Sequence, residues 1–334
     1  MKLQKSGAAE ARENTKKGKE NVMKKYAFGV DIGGTTCKIG FFETAGVLID
    51  KWEIHTNTEN GGENILPDVA KAIDNKLAQE GISKSEVQGV GVGVPGPVTS
   101  DGVVNRCVNL GWGVVNVSDV LGRLTGLEVR VGNDANVAAL GEMWQGGAKG
   151  SKDVIVVTLG TGVGGGVIVD GKIVAGFNGA GGEIGHITVN RDEIEACNCG
   201  QYGCLEQYTS ATGVVRLAKR KLAKSEDETA LRKYEPLTAK DVFDEAKAGD
   251  AIAVELVDEV CEILGSALSN MACVVNPEIV VIGGGVSKAG SILIDCIQKH
   301  YQENAFFACR DAKFALAQLG NDAGMYGCVQ LLLS

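Results

Sequence analysis

The densest chemistry in this chain lies in Gly181-Gly-Glu183-Ile-Gly-His186 and in Cys197-Asn-Cys199-Gly-Gln-Tyr-Gly-Cys204-Leu-Glu206. His186, Cys197, Cys199 and Cys204 supply one imidazole and three thiols, a full donor set for tetrahedral zinc. Gly200 and Gly203 permit the tight turns that such spacing needs. With four protein ligands and no open position, the zinc is expected to be structural, fixing a loop rather than activating water. Glu183 and Glu206 remain as carboxylates free to face a ligand.

Asp31-Ile-Gly33-Gly34-Thr35-Thr36-Cys-Lys38 offers a second kind of chemistry. Its glycines let backbone approach a phosphate closely, Thr35 and Lys38 can donate to phosphate oxygens, and Asp31 can hold magnesium directly or through water. About 130 residues later the theme returns as Gly160-Thr161-Gly162-Val-Gly164-Gly165-Gly166. There, backbone N–H groups and the Thr161 hydroxyl would form an anion nest. Gly160 to Gly165 spells G-x-G-x-x-G, but a dinucleotide fold needs a helix after that turn. Val167-Ile-Val-Asp-Gly171 reads instead as strand and turn, so the Rossmann reading is set aside.

The elements that must position these residues follow from periodicity. Tyr26–Asp31, the turn Gly33–Thr36 and Cys37–Phe42 read as a hairpin, continued by a strand over 47–56. Ile65, Val69, Ile73 and Leu77 put a helix over 63–80. Val87–Val94 is a strand ending in the loop Pro95-Gly96-Pro97, and Leu127–Gly132 is another, closed by Asn133-Asp134-Ala-Asn136. Val137, Leu140 and Trp144 then continue as a helix, which sets Asp134 at a strand end and a helix start. A second hairpin pairs a strand over 153–158 with one over 167–169 across the glycine run 160–166. Two such hairpins suggest two related halves. The charged stretch 224–235 reads as a surface insertion. Ile252, Leu256, Val260, Leu264 and Leu268 make a long helical stripe. Residues 278–282 form a buried strand, Ser287 is the expected cap of a helix through Leu293 and Ile297, and 323–333 is a closing helix.

At 334 residues, 44% hydrophobic and 22% charged, the chain is an ordinary globular protein of about two domains. A net charge of −9 and a pI near 5.1 argue against a nucleic-acid partner. No apolar run is long enough for a bilayer span and no signal peptide is evident, so no membrane partner and a cytoplasmic location are expected. The cysteines outside the cluster, Cys37, Cys107, Cys261, Cys273, Cys296, Cys309 and Cys328, read as small buried hydrophobes without a structural disulfide. Residues 1–22 are polar, precede a second methionine, Met23, and read as a disordered or non-native extension.

Together these motifs resemble the ROK family of sugar kinases and sugar-responsive repressors, within the actin-like ATPase group. The resemblance runs from Tyr26 to the C-terminus. Its specific elements are Asp31-Ile-Gly-Gly-Thr-Thr, Gly93-Val-Pro95-Gly96-Pro97, Asn109-Leu-Gly-Trp112, Gly132-Asn133-Asp134-Ala-Asn136, Leu159-Gly-Thr-Gly-Val-Gly-Gly-Gly, Gly182-Glu183-Ile-Gly-His186 and the cysteine signature. It implies an α/β fold of the actin-like, ribonuclease H-like duplicated type, with two domains flanking a cleft. The small domain would span 23–132 plus 320–334 and the large one 133–319, with the zinc loop in the latter.

The resemblance further implies ATP-dependent phosphorylation of glucose at O6, with magnesium and a structural zinc. Asp134 would accept the sugar hydroxyl proton. Asn109, Asn133, Asp134, Glu183, His186 and Glu206 would bind the sugar. Asp31, Gly33, Gly34, Thr35, Lys38, Thr161 and Gly162 would meet phosphates, and Gly283, Gly284 and Gly285 would lie against adenosine. Sibling kinases act on N-acetylglucosamine, N-acetylmannosamine, fructose or allose, and the pocket acids do not separate these. Repressors of the family carry a helix-turn-helix module of ~60–80 residues ahead of the fold. Only about 24 residues precede the first strand here, so the kinase reading is preferred. A homodimer or homotetramer is implied as well.

Overall fold

The computed structural model describes residues 23–334; the extension over 1–22 lies outside them. Alternating apolar residues carry the chain through β1 (Tyr26–Ile32), β2 (Thr36–Glu43) and β3 (Leu48–His55). The turn between β1 and β2 is closed by the Gly33 N–H donating to the Thr36 carbonyl at 3.0 Å. Helix α1 (Ile65–Glu80) returns the chain to β4 (Val87–Val94), which lies parallel to β1. A small hairpin, β5 (Val103–Val104) and β6 (Val115–Asn116), leads to α2 (Val117–Thr125) and then β7 (Val129–Asn133), parallel to β4.

Helix α3 (Asp134–Gln145) opens the second half. It is followed by β8 (Val154–Leu159), β9 (Val163–Val169) and β10 (Lys172–Ile173). After the cysteine loop come helices α4 (Glu206–Thr209), α5 (Ala211–Lys224), α6 (Ala239–Lys247) and α7 (Ala251–Val275). Strand β11 (Ile279–Gly283), α8 (Ser291–Asn304), β12 (Lys313–Leu316) and α9 (Ala323–Leu333) complete the chain. The two five-stranded sheets have orders β3-β2-β1-β4-β7 and β10-β9-β8-β11-β12. In each, an antiparallel meander is extended by two parallel strands, so the relation suggested by the hairpins extends to whole sheets.

Each sheet is covered on both faces. The first packs α1 and α2 on one side, with Phe28, Ile39, Val69 and Leu121 in the core, and α9 on the other through Met325, Val329 and Leu332. The second packs the α5–α8 layer on one side and α3 on the other, where Leu140 and Met143 meet Val154, Val156 and Val281. Thus α3 follows the first sheet but covers the second, while α9 follows the second but covers the first. Where α3 and α9 cross, a methyl on Gly327 would lie 1.5 Å from the Val137 carbonyl oxygen, so the backbones touch. Buried Glu142 of α3 ties this crossing to the link before α9, accepting from the N–H groups of Gly147, Gln318 and Leu319 at 2.8–3.0 Å.

Two local expectations change. The glycine run 160–166 is not all turn: β9 begins at Val163, and Gly164, Gly165 and Gly166 pair with Thr158, Val157 and Val156. Packing explains it, since a methyl on Gly166 would lie 2.3 Å from the Ala139 side chain of α3. Ser287 does not cap α8, which starts at Ser291 behind Gly290; its hydroxyl donates to the Gly284 carbonyl at 2.7 Å. The stretch 224–235 lies mostly at the surface, as expected, and is anchored there because Leu231 is buried in the second core and Asp250 accepts from Thr229 and Ala230.

Candidate active site

Strand register brings the chemistry to one edge. Asp31 at the end of β1 lies beside Gly93 of β4, and Val94 lies beside Asn133 of β7. Asp31, Gly33, Lys38, Asn133, Asp134 and Glu183 therefore line one cleft of about 620 Å³. Thr158, Asn321 and Gly324 line it too, and the sequence reading did not single them out. Asn321 and Gly324 escape a motif reading because they reach the cleft only through the packing of α9 on the first sheet.

Asn133 is the N-cap of α3. Its Oδ1 accepts the Asn136 N–H at 3.2 Å and its Nδ2 donates to the Gly96 carbonyl at 3.1 Å, which binds the Pro95-Gly96-Pro97 loop to the cleft wall. Asp134 opens the helix and its Oδ1 accepts the Ala135 N–H at 2.8 Å. Although the carboxylate opens onto the cleft, loss of hydration raises its pKa above the usual aspartate value, against those backbone donors. The helix N-terminus therefore does not dominate. Asp31 is raised as well, chiefly by burial and further by Asp134, with Lys38 opposing. Lys38 itself donates from Nζ to the Asn321 carbonyl at 3.2 Å. Asn136, named in the motif but given no role, is 5% exposed, and its Oδ1 has no hydrogen-bond partner among the described residues.

The other predicted residues stand around this cleft rather than in its lining. Gly34 lies against the Asn109 backbone and Cβ, so Asn109 and the first turn touch, with Thr35 exposed beside them. In the second turn the Gly160 N–H donates to the Gly162 carbonyl at 3.0 Å, and the Thr161 carbonyl accepts from the Thr212 hydroxyl at 2.8 Å. Gly283 ends β11 and Gly284 takes φ +82° beneath Leu159, whose carbonyl oxygen would lie 2.4 Å from a methyl there. Gly285 faces open space at the rim of a second, largely apolar cavity of about 310 Å³. Ala211, Phe243, Val286 and Ala289 also line it, and sequence reasoning missed those four.

His186, Cys197, Cys199 and Cys204 converge, with all four ligand atoms within 4.8 Å of one another. Cys199 and Cys204 sulfurs are 3.6 Å apart, and Cys197 Sγ is 4.0 Å from His186 Nδ1. Zinc–sulfur bonds of about 2.3 Å set tetrahedral sulfurs roughly 3.8 Å apart, so the donor set fits zinc. His186 turns Nδ1 to the cluster, which leaves Nε2 for another partner. Glu206 is less free than expected: its Oε1 accepts from the Cys197 thiol at 2.9 Å, while Oε2 is directed at Gly162. The loop is clamped from behind by Glu193, whose buried carboxylate takes ion pairs from Arg216 at 2.6 Å and Arg220 at 2.9 Å and a bond from the Tyr208 hydroxyl at 2.6 Å.

Two hairpin-led sheets of equal topology, flanking a cleft floored by aspartates, define an actin-like ATPase fold. The model of the ROK family matches residues 27–334, and the chain belongs to that family. It is 47% identical over 308 residues to the glucokinase of Halalkalibacterium halodurans, covering 91% of this chain and 93% of that one. Identity to the Thermotoga maritima glucokinase is 35%, over 91% of this chain and 96% of the relative. The crystal structure of a ROK family glucokinase from Streptomyces griseus in complex with glucose and AMPPNP superposes with a TM-score of 0.68 at 32% identity, covering 92% and 98% of the two chains.

Proposed function

We propose that this protein is an ATP-dependent glucokinase, transferring the γ-phosphoryl group of ATP to O6 of glucose to give glucose 6-phosphate and ADP. The observation that carries the reading is Asp134, a carboxylate of raised pKa at the cleft floor, within electrostatic reach of Asp31. In the proposed mechanism Asp134 orients the sugar 6-hydroxyl and takes its proton as the oxygen attacks phosphorus. Positioning and charge neutralisation supply most of the catalysis in such transfers. Lys38, with the N–H groups and hydroxyls of the two hairpin turns, including Thr35, Thr161 and Gly162, meets the phosphates.

Magnesium arriving with the nucleotide would neutralise phosphate charge, and Asp31 would hold it directly or through water. Adenine is assigned to the 310 Å³ cavity beside Gly285, whose apolar wall suits a flat base.

Glu183 and Asn133 already face the cleft, and we assign them to sugar hydroxyls with His186, Glu206 and Asn109. The assignment includes a closing movement of two lobes, 23–132 with 320–334 against 133–319, which would carry the latter three inward and exclude water. His186, Cys197, Cys199 and Cys204 would hold a structural zinc, which would fix the loop that carries Glu206. No helix among the described residues is long and apolar enough to cross a membrane, and a cytoplasmic homodimer or homotetramer belongs to the same proposal. A coupled assay over glucose, N-acetylglucosamine, N-acetylmannosamine, fructose and allose tests it. Glucose is expected to give the highest kcat/KM, and a preference for a 2-acetamido sugar overturns the substrate assignment.

A further inference from the structure

Away from the cleft, the contact between α7 and α8 gathers a second group of ligand-type side chains. Asp258 comes from α7, while Cys296 and His300 stand one turn apart on α8 and so share a face. His300 Nε2 is 2.8 Å from Asp258 Oδ1, Cys296 Sγ is 3.7 Å from the same oxygen, and the three ligand atoms all lie within 4.8 Å of one another. Zinc bonds of about 2.0–2.3 Å would set tetrahedral N–O and S–O separations near ~3.4 and ~3.6 Å. The sulfur is already there, and the imidazole–carboxylate pair would have to open by only about half an ångström.

One further observation points the same way. On the far side of the ring, His300 Nδ1 is 3.5 Å from the Glu303 carboxylate. An outer carboxylate on the second imidazole nitrogen is how metal-binding histidines are held in one tautomer. A simple His300–Asp258 ion pair would account for the 2.8 Å contact, but not for a thiol on the same oxygen and a second carboxylate across the ring.

We propose that Asp258, Cys296 and His300 form a second transition-metal site, for zinc or an ion of similar softness, with a fourth position open to solvent beside the exposed Asp258. One sulfur, one nitrogen and one oxygen disfavour magnesium and calcium, which take oxygen ligands. Unlike the closed Cys3His set, a three-ligand site exchanges its ion with the surroundings. When filled it pins α7 to α8 and shields the Cys296 sulfur.

The test uses the full-length protein with its Cys3His site already loaded. Zinc is added, bound zinc per chain is measured by atomic emission after dialysis, and alkylation of Cys296 by iodoacetamide is followed by peptide mass spectrometry. The expected result is about two zinc ions per chain rather than about one, with Cys296 alkylated at least ~10-fold more slowly. Both effects should vanish in Asp258→Asn, a surface change that leaves glucose phosphorylation as a check on folding, and in His300→Asn. A single zinc per chain with unchanged alkylation overturns the site, and so does protection that persists in Asp258→Asn.

Discussion

Asp134 carries a tension that is visible in its protonation. Its folded pKa is raised by lost hydration, so folding disfavours the ionised form that the proposed proton transfer needs. A raised carboxylate pKa means that the stability cost of the charge is present at neutral pH and relieved as pH falls through the folded value. Activity runs the other way: the acid limb of kcat/KM should lie above the ordinary aspartate value of 3.8, and a pH–rate profile checks this. Asp134→Asn should reduce turnover by about 10³-fold while glucose affinity changes little. The same variant should melt at or above the parent temperature, because the uncharged amide still accepts the Ala135 N–H. Single-turnover kinetics, calorimetric glucose binding and thermal unfolding measure the three outcomes, and a variant that both turns over and melts early would remove Asp134 from its role. The cleft position of Asp134 and Asp31 was legible because a carboxylate at a strand end beside glycines stands out in the sequence. Asn136 was not, since its unpartnered oxygen is a property of the packed helix and not of its spacing.

The cysteine loop has two independent clamps, a donor set that fits zinc on one side and Glu193 with two arginines on the other. The Glu193 carboxyl is held well below the usual range, first by Arg220 and with further help from Tyr208, Glu195 N–H and Arg216, against its burial. Because its folded pKa is depressed, its contribution is complete above the unfolded value of 4.5 and fades as pH falls below it. Glu193→Gln leaves two guanidinium groups short of a charge and should cost about 3 kcal/mol, read by urea unfolding at neutral pH, with the deficit shrinking in acid. Stripping zinc with a chelator, or Cys199→Ser, should raise the KM for glucose by about 10- to 100-fold with a smaller change in kcat, since the ligands position His186 and Glu206 and take no part in the transfer. The cysteine spacing made this element readable in advance. Glu193 and its arginines were silent because residues 193, 216 and 220 meet only after the loop folds back on α5. The glycine run 160–166 misled for the opposite reason: two of its five glycines, Gly160 and Gly162, serve the turn, while Gly164 and Gly166 face α3 and Gly165 faces Ile184.

At the scale of the molecule, two hairpins with glycine turns were enough to suggest related halves, and the matching strand orders extend that relation to the sheets. What periodicity does not encode is which sheet a helix will cover, since an apolar stripe states only that a face is buried. Here α3 and α9 trade places, and their contact leaves no room for a side chain at Gly327. Gly327→Ala forces the helices apart and should cost about 3 kcal/mol or more, seen as a lower melting temperature. Circular dichroism and tryptophan fluorescence should still report one coincident transition, because neither sheet keeps its second cover when the crossing opens.

That exchange also governs what happens when the chain is cut. A break between α3 and β8 leaves a first fragment whose last helix has nothing to cover and whose sheet lies bare on one face, and a second fragment with the mirror-image defect. Each piece alone should remain unfolded, and the two together should reassemble, as halves that each hold the other's missing lid.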